Sequence, residues 1–580
     1  MIRPLLRIVG IVLVYAAAVG WLTWPLGAHL TTALPVPDDS ARFDGLYSAW
    51  ALAWESHALV TAPSTLADAN IYTPARHALF YGPTAFGALP LFAPVYLATG
   101  NPTLAANVMY LGSVVLTATA LHLVAVAWTG LGLAGVVAGW TVLTTRWMLW
   151  EWLPTAPHAA VLFYFPFVIL LAADPSPGRR TVRWLLPLAA LQCLSDVTYV
   201  APAVVAPLLV LAVVRVLRPS TRRAGLVLAA IVAGAVVVML PVWVGHLIVA
   251  RENPNLRAQT LWGNGQAPTV LPWGLFRWMA PTAVQPVVLA LIALGGLVRV
   301  FARDGRTPRH AWLHATYWSL MGLAISCTPM VVWGDQDIRL PTWFIDQWVP
   351  IFRFLRVPGR LGIAGLMGLA LLAGLAFAEC VARLPGRGRG VVAAGLAAAM
   401  LVATYSQFAH GFSWPFERAP LWDAYPVQPA IGDRDPVARL LRGGSGAVLE
   451  LPLNPPLAAA HAQLRDVPNL PFVTDRKPYL HAAAMYRSIQ HWRPLLNGYS
   501  SYYPADWQAR MRLASSLPDA TALATLRSET GLATIVVHTA LCSPADRGRW
   551  QATATAGRAD LRLAAQLGSD LVFTVASAAP

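Results

Sequence analysis

Apolar runs long enough to cross a bilayer recur along the first 411 residues, and they limit what this chain can fold into more than any other feature. A transmembrane helix needs about 20 predominantly apolar residues. Hydrophobic residues make up 57% of the 580 residues and charged residues only 12%. That charged share is about half the share in a typical soluble domain. The chain is therefore predicted to be an α-helical polytopic membrane protein.

Clusters of arginine between the apolar runs predict which side of the membrane each loop occupies. They are Arg3/Arg7, Arg179/Arg180/Arg183, Arg215/Arg218/Arg222/Arg223, Arg299/Arg303/Arg306/Arg309 and Arg383/Arg387/Arg389. The positive-inside rule assigns all five clusters to the cytoplasmic side. An even number of spans must therefore separate any two clusters. The first apolar run is interpreted as an uncleaved span that starts in the cytoplasm.

Eleven spans satisfy this requirement. We place them near 5–24, 104–127, 131–149, 158–173, 184–198, 199–216, 224–248, 281–300, 311–332, 360–382 and 390–410. The run 84–100 contains two prolines and would break the parity, so it is predicted to be re-entrant or interfacial. The run 184–216 is predicted to form two short helices that meet externally at Ser195 and Asp196. Eleven spans leave the C-terminus outside.

The last part of the chain, residues 411–580, has a different pattern from the membrane part. Short runs typical of strands, "GAVLELPL", "ATIVVHTAL" and "DLVFTVAS", alternate with helical patterns such as "DWQARMRLASSL" and "DATALATLRSE". We therefore predict two domains. Residues 1–410 form the membrane domain, including a first external loop at 25–103, and residues 411–580 form a small external α/β domain.

The first external loop contains an unusual mixture of acids and aromatic residues, "RFDGLYSAWALAWESHAL", at 42–59. In a helix from about residue 40, one face carries Phe43, Tyr47, Trp50 and Trp54, and the adjacent face carries Asp44, Ser48, Ala51 and Glu55. This pattern predicts an interfacial helix on the membrane surface, with its acids at headgroup depth. Either Asp44 and Glu55 serve a site there or they merely face water. Asp38 and Asp39, just upstream, are further candidates or ordinary helix caps.

Four other segments on the predicted external side contain candidate binding residues. They contribute Asp68 and Asn70 in "LADANIYTPARHALFYG", Glu151 and His158 in "RWMLWEWLPTAPH", Asp196 between two predicted helices, and Asn497 and Tyr499 in "HWRPLLNGYSSYYPADW". Each segment has a plainer interpretation as a solvated loop, a surface charge or a tight turn. Aromatic and hydrogen-bonding groups together also suit the recognition of sugars or peptides.

Three arginines in "FRFLRVPGR" depart from the positive-inside rule, because the topology places Arg353, Arg356 and Arg360 outside. Guanidinium groups at the entrance of a span suit a phosphate or pyrophosphate. Docking of the C-terminal domain is an equally good explanation for these charges.

Several functional classes find no support in the sequence. It contains no Walker A loop, glycine-rich nucleotide motif, zinc signature or Gly-x-Ser-x-Gly motif. The four cysteines have neither disulfide nor metal-ligand spacing. The net charge of +15 lies mainly in the membrane part, so it does not indicate nucleic-acid binding. Charged residues inside the spans are scarce, which disfavours an ion-coupled transporter.

Taken together, these features resemble the GT-C superfamily of integral-membrane glycosyltransferases. "DGLYSAWALAW", "LADANIYTP", "TGNPTLAANV", "LQCLSDVTYVAP", "FRFLRVPGRLGIAGLMGLALLAGLA" and "PLLNGYSSYYP" are similar to a bacterial group of GT-C-like multispan proteins. The resemblance implies a bacterial inner-membrane enzyme and a polyprenyl-phosphate-linked sugar donor. It also implies a glycan, lipid or protein acceptor. A divalent cation is left open.

The resemblance also implies a role for a first-loop acid, which in GT-C enzymes is the catalytic or metal-linked carboxylate. Asp44 is the best match, because it begins a D-x5-W pattern that ends at Trp50. Asp38 and Asp39 are the second choice, since related mannosyltransferases carry two adjacent acids there, usually Asp-Glu. The Asp-Asp pair of this chain departs from that pattern. Two alternatives to the enzyme remain. One is a non-catalytic GT-C-like scaffold that binds lipid or glycan, and the other is a flippase or transporter of lipid-linked glycans.

Overall fold

A computed structural model describes most of the chain, including nearly all of the predicted spans. The described residues are 2–35, 42–150, 152–154, 156–254, 284–301, 305, 307–327, 330–333, 336–348, 358–386, 388–409, 425, 427–429, 435–453 and 479–576.

Helices dominate the first 409 residues. They are α1 (Ile2–Leu22), α2 (Arg42–Thr61), α3 (Leu89–Thr99), α4 (Pro102–Thr129), α5 (Gly132–Leu143), α6 (Arg146–Leu149), α7 (Phe165–Ala172), α8 (Arg179–Ser195), α9 (Val200–Val216), α10 (Arg222–Glu252), α11 (Pro286–Phe301), α12 (Arg309–Ser326), α13 (Pro341–Trp348), α14 (Ile363–Val381) and α15 (Arg389–Ala409). A hairpin of β2 (Met330–Trp333) and β3 (Gln336–Arg339) separates α12 from α13.

The apolar helices agree with a multi-pass membrane protein. Among the described residues, five helices are long and apolar enough to cross a bilayer: Leu5–Leu22, Pro102–Thr129, Pro219–Glu252, Gly359–Val381 and Arg389–Gln407. Each of the other six predicted spans also contains a helix, but these helices are shorter or more polar. The count of eleven crossings and the orientation of the termini stay predictions.

Two local predictions about the apolar runs can be compared with the helices directly. The run 184–216 is broken as predicted, because α8 ends at Ser195 and α9 begins at Val200. The run 84–100 contains α3, whose 11 residues span about 16 Å. A bilayer core is about 30 Å thick, so α3 by itself is too short to cross it.

The helix α14 lies at the centre of the bundle and is buried along almost its whole length. It packs most closely on α12, where a Cβ atom on Gly322 would collide with the backbone of Gly365. Small residues at such a crossing let two helix backbones approach each other in a membrane. The charge of Glu379 on α14 is also compensated, since Arg383 Nη1 lies 2.5 Å and Arg299 Nη1 3.4 Å from its carboxylate.

The C-terminal part contains a small mixed sheet. Its strands are β5 (Ala447–Leu451), β6 (Leu532–His538), β7 (Leu561–Leu567) and β8 (Asp570–Val575), in the order β5-β6-β8-β7, with β5 and β6 parallel. The accompanying helices are α16 (Pro436–Arg442), α17 (Tyr479–Ser488), α18 (Trp507–Ser515), α19 (Ala520–Thr530) and α20 (Pro544–Thr555). The three strands and two helices expected in this part from the sequence are all present, and β7 was not expected.

The first loop and the C-terminal part share one hydrophobic core. Tyr47 and Trp50 of α2 belong to the same cluster of buried side chains as Leu449 of β5 and Val536 of β6. A short strand, β1 (Ala33–Pro35), also pairs with β4 (Val427–Pro429). We call this combined unit, formed by α2, the loop 66–88 and the sheet with its helices, the joint body.

The prediction of an interfacial α2 with one polar face is wrong. Every residue from 45 to 56 is buried, and Glu55 on the intended polar face has no exposed surface. α2 packs against α17 on one side and against α3 and α4 on another. The sequence pattern of α2 could not indicate this, because the covering elements come from distant parts of the chain.

The crossing of α12 and α14 yields a prediction. Gly322→Ala forces apart two helix backbones that are in contact, and overpacking of this kind costs roughly 1–3 kcal/mol. We expect a lower thermal unfolding midpoint for the detergent-solubilised protein. Gly395→Ala on α15 is the matched control, because a Cβ atom there meets nothing within 4 Å. Equal midpoints for the two variants would contradict the packing described here.

Candidate functional site

Asp44 lies in the first turn of α2 and is half-buried, whereas residues 45–56 of the same helix are buried. The Tyr499 hydroxyl donates a hydrogen bond of 2.7 Å to Asp44 Oδ1. The rings of Phe43 and Tyr47 contact the Tyr499 ring edge to face, with centroids 4.9 and 5.8 Å away. The N-terminus of a helix favours a negative charge. The structure thus brings together two predicted site residues from opposite ends of the chain.

Glu55 lies three turns further along α2, and its environment differs completely from that of Asp44. Its Oε1 accepts a 3.0 Å hydrogen bond from the Ala85 N–H. In the described part of the chain, its Oε2 is buried without a hydrogen-bonding partner. Burial raises the pKa of Glu55 to about 8, although the bond from Ala85 partly opposes this. Glu55 is therefore a neutral acid at pH 7 and does not present a charge to a ligand.

The two predicted asparagines use their side chains to hold the joint body together. Asn70 accepts a hydrogen bond from Trp50 Nε1 (3.1 Å) and donates to Ser488 Oγ (3.1 Å) and the Arg493 carbonyl (3.2 Å). Asn497 Oδ1 accepts a hydrogen bond from the Glu450 N–H at 2.7 Å, and Asn497 Nδ2 donates one to the Glu450 carbonyl at 2.9 Å. The backbone of a neighbouring strand would make the same two kinds of bond. These contacts give both residues a structural role.

Asp68 and Asp196 both accept hydrogen bonds from the backbone, and Asp196 does so in a tight turn. Asp68 Oδ1 accepts from the His77 N–H at 2.8 Å. Asp196, in the break between α8 and α9, accepts from the N–H groups of Thr198 (2.7 Å) and Tyr199 (2.9 Å). An aspartate that bonds to the backbone two or three residues further on is typical of such turns, and it explains how a buried carboxylate is tolerated there.

Arg360 belongs to a second group of predicted residues. Its guanidinium carbon lies 4.9 Å from the ring centre of Trp152 and 5.4 Å from that of Tyr199. Asp196 and Arg360 both act electrostatically on the buried His158. None of the described residues forms a hydrogen bond or an ion pair with Arg360. The two aromatic rings position its guanidinium group, and its five N–H donors stay available.

The segment 85–87 connects this second group to α2. Ala85 bonds Glu55, and a Cβ atom on Gly87 would collide with the Leu191 carbonyl and the Ser195 backbone at the end of α8. Only glycine allows this close approach. The Arg360 group therefore lies on the side of the bundle that faces the joint body.

Five predicted site residues lie outside the described part of the chain: Asp38, Asp39, Glu151, Arg353 and Arg356. Within the described part, no group of three or more His, Cys, Asp or Glu residues is arranged to hold a metal ion.

The sequence analysis missed a buried ionic cluster on the sheet. Glu450 on β5 and Asp570 on β8 flank His538 at the end of β6, at 3.2 and 3.1 Å, and Arg487 of α17 lies 3.3 Å from Glu450. Burial alone would lower the pKa of His538, but the bonds to Asp570 and Glu450 raise it to about 9. The cluster holds α17 on the sheet. The one signal in the sequence is a glutamate inside the apolar strand "AVLEL".

Comparisons with known proteins give one informative result. No family model and no curated protein matches the sequence. Among solved structures, the fold is similar to that of the arabinofuranosyltransferase AftD from mycobacteria, with a TM-score of 0.56 and 15% identity. The match covers 98% of this chain but only 40% of that one. At this identity the likeness concerns the fold alone, and this chain spans less than half of the length of that protein.

The environment of Glu55 yields a prediction about stability. Its pKa is higher in the folded state than in the unfolded chain, so the folded state binds the proton more tightly and stability falls as pH rises from about 4.5 to about 8. Glu55→Gln imitates the neutral acid and removes this loss. We expect a higher unfolding midpoint than wild type at pH 9 and little difference at pH 4.5.

Glu529→Gln serves as the control for Glu55→Gln, because Glu529 is 43% exposed on the surface. Tryptophan fluorescence during heating, recorded between pH 4.5 and 9, measures both variants. A Glu55→Gln midpoint below wild type at pH 9 would show that the buried carboxylate is charged and needed.

Proposed function

We propose that this protein is a GT-C-type glycosyltransferase of a bacterial inner membrane that uses a polyprenyl-phosphate-linked sugar at the external face. The observation that carries the proposal is the placement of Asp44. Asp44 is a half-buried residue at the start of a largely buried helix, bonded by Tyr499 and bordered by Phe43 and Tyr47.

The reaction follows from what each group can do. The Asp44 carboxylate takes the proton of the acceptor hydroxyl, and the acceptor oxygen attacks the anomeric carbon from the side opposite the phosphate. The bond between that carbon and the phosphate oxygen breaks with inversion, and polyprenyl phosphate leaves. Tyr499 orients the carboxylate, and the aromatic rings offer apolar surface to a sugar. Because the structural neighbour is named an arabinofuranosyltransferase, polyprenyl-phosphate-linked arabinofuranose is the first donor to test.

Arg360 is the proposed contact for the donor phosphate. Its donors are available among the described residues, and its position on Trp152 and Tyr199 is defined by two aromatic faces. A guanidinium group matches a phosphate by paired hydrogen bonds. The proposal requires Arg360 and Asp44 to face one cavity that is open to lipid.

Removal of the Asp44 charge tests the enzyme directly. We expect Asp44→Asn to lower transfer from the lipid-linked donor by roughly 10²- to 10⁴-fold, the usual contribution of a general base. Asp506→Asn, at an aspartate that is 82% exposed, is the matched control. Transfer by the purified protein in nanodiscs is measured with radiolabelled donor.

Tyr499→Phe separates a catalytic role of Asp44 from a structural one. Loss of the donated bond disfavours the charged carboxylate, so the acidic limb of the pH–rate profile should move to higher pH while the fold persists. If Asp44→Asn transfers sugar at the wild-type rate and Asp39→Asn does not, Asp39 rather than Asp44 is the general base.

Arg360→Gln is expected to raise the KM for the donor with little change in kcat. The guanidinium meets the phosphate in the ground state and the transition state alike, so it contributes uniform binding. Arg562→Gln on the exposed edge of β7 is the control. An unchanged KM for the donor would show that Arg360 does not contact the donor phosphate.

A non-catalytic scaffold is the second candidate, and one observation favours it. Asn70, Asn497 and Asp196 all bond to groups of the protein itself, so fewer predicted polar groups are available for a ligand than an enzyme site would suggest. Binding of the lipid-linked donor without any transfer, in wild type and in both acid variants, would support the scaffold.

A further inference from the structure

The short helix α13 is attached to the end of the membrane bundle by one side. Thr342 is buried, and its Oγ1 lies 2.9 Å from Cys327 Sγ and bonds the Ala324 carbonyl at 3.3 Å, both at the end of α12. Ile345, one turn further on the same side, packs against the core of the bundle. The position of α13 relative to α12 is therefore well defined.

The opposite side of α13 exposes large aromatic side chains. Phe344 and Trp348, four residues apart and so on one face of the helix, are 48% and 81% exposed. Ile338 on the neighbouring strand β3 is also exposed. Grouped apolar side chains of this size are a recognition surface rather than a normal solvent-facing surface. We call Phe344 and Trp348 the aromatic face of α13.

The place of α13 in the bundle indicates what covers this face. The helix α12 starts at Arg309 in a predicted cytoplasmic arginine cluster, and its 18 residues rise about 27 Å. Its far end, where α13 is attached, therefore lies near the outer boundary of a bilayer core about 30 Å thick. Gly359–Val381, a candidate span, begins beside the same end of α12.

The chemistry of α13 also fits this level of the membrane. Tryptophan is enriched where acyl chains meet headgroups. The guanidinium carbon of Arg339 lies 4.2 Å from the ring centre of Trp343, which puts a cation beside the aromatic face. A lipid headgroup region offers phosphate to the cation and an apolar layer to the rings.

We propose that α13 lies in the outer interface of the bilayer and inserts Phe344 and Trp348 below the level of the headgroups. This membrane contact is independent of the proposed glycosyltransferase chemistry. It holds the end of α12 and the start of the Gly359–Val381 span at a defined depth.

Site-directed spin labelling of the full chain tests the proposal. Nitroxide labels are placed at Phe344→Cys, Trp348→Cys and, as a matched control, Gln336→Cys on the exposed strand β3. Cys380→Ser provides the background, since the other three cysteines are buried. The protein is reconstituted in nanodiscs of phosphatidylethanolamine and phosphatidylglycerol. Collisions with oxygen and with a water-soluble nickel chelate are then measured by electron paramagnetic resonance.

We expect an oxygen-to-nickel accessibility ratio several-fold higher at 344 and 348 than at 336. Ratios at 344 and 348 equal to the ratio at 336 would overturn the proposal, because the face would then be in water. Protection from both reagents would also overturn it, because another protein surface would then cover the face.

Trp348→Phe provides a second measurement that introduces no cysteine. Brominated lipids should quench a smaller part of the total tryptophan fluorescence in this variant than in wild type. An identical quenched fraction in the two proteins would contradict insertion of Trp348.

Discussion

The burial of α2 is the constraint on which the rest of the joint body depends. This helix belongs in sequence to the first loop, yet it packs on α17 of the C-terminal part and on α3 and α4 of the membrane part. Asn70 reinforces the same junction, because it bonds Trp50 of α2 and the segment at Ser488 and Arg493. Any residue that is held on α2 is therefore positioned relative to both parts of the chain.

Four acidic residues show four different environments for a carboxylate in this largely apolar protein. Glu379 is paired with arginines inside the bundle, and Asp196 is satisfied by backbone N–H groups. Glu55 is buried and neutral at pH 7. Asp44 is the one of these four that combines partial exposure with a hydrogen bond from the C-terminal part. Partial exposure and a donated hydrogen bond both favour the charged form of a carboxylate, whereas burial without a partner favours the neutral form.

The sheet is stabilised by polar groups that replace ordinary strand contacts. The side chain of Asn497 bonds both backbone groups of Glu450 at the edge of β5, and edge strands left unpaired are prone to wrong association. The cluster of Glu450, His538, Asp570 and Arg487 then attaches α17 to the sheet. Because α17 also packs on α2, these polar contacts help to determine where Tyr499 meets Asp44.

The sequence by itself determined the features that depend on local pattern. Apolar runs predicted helices at every proposed span, and a polar interruption predicted the break at Asp196. Short runs typical of strands predicted β5, β6 and β8. It also singled out Asp44 and Tyr499 separately. Only the tertiary structure decided that these two residues meet, that Glu55 is buried rather than at the membrane surface, and that Asn70 and Asn497 are structural. The physical reason is that local hydrophobic periodicity states which side of a helix is apolar, whereas burial of a polar side depends on which distant segments cover it.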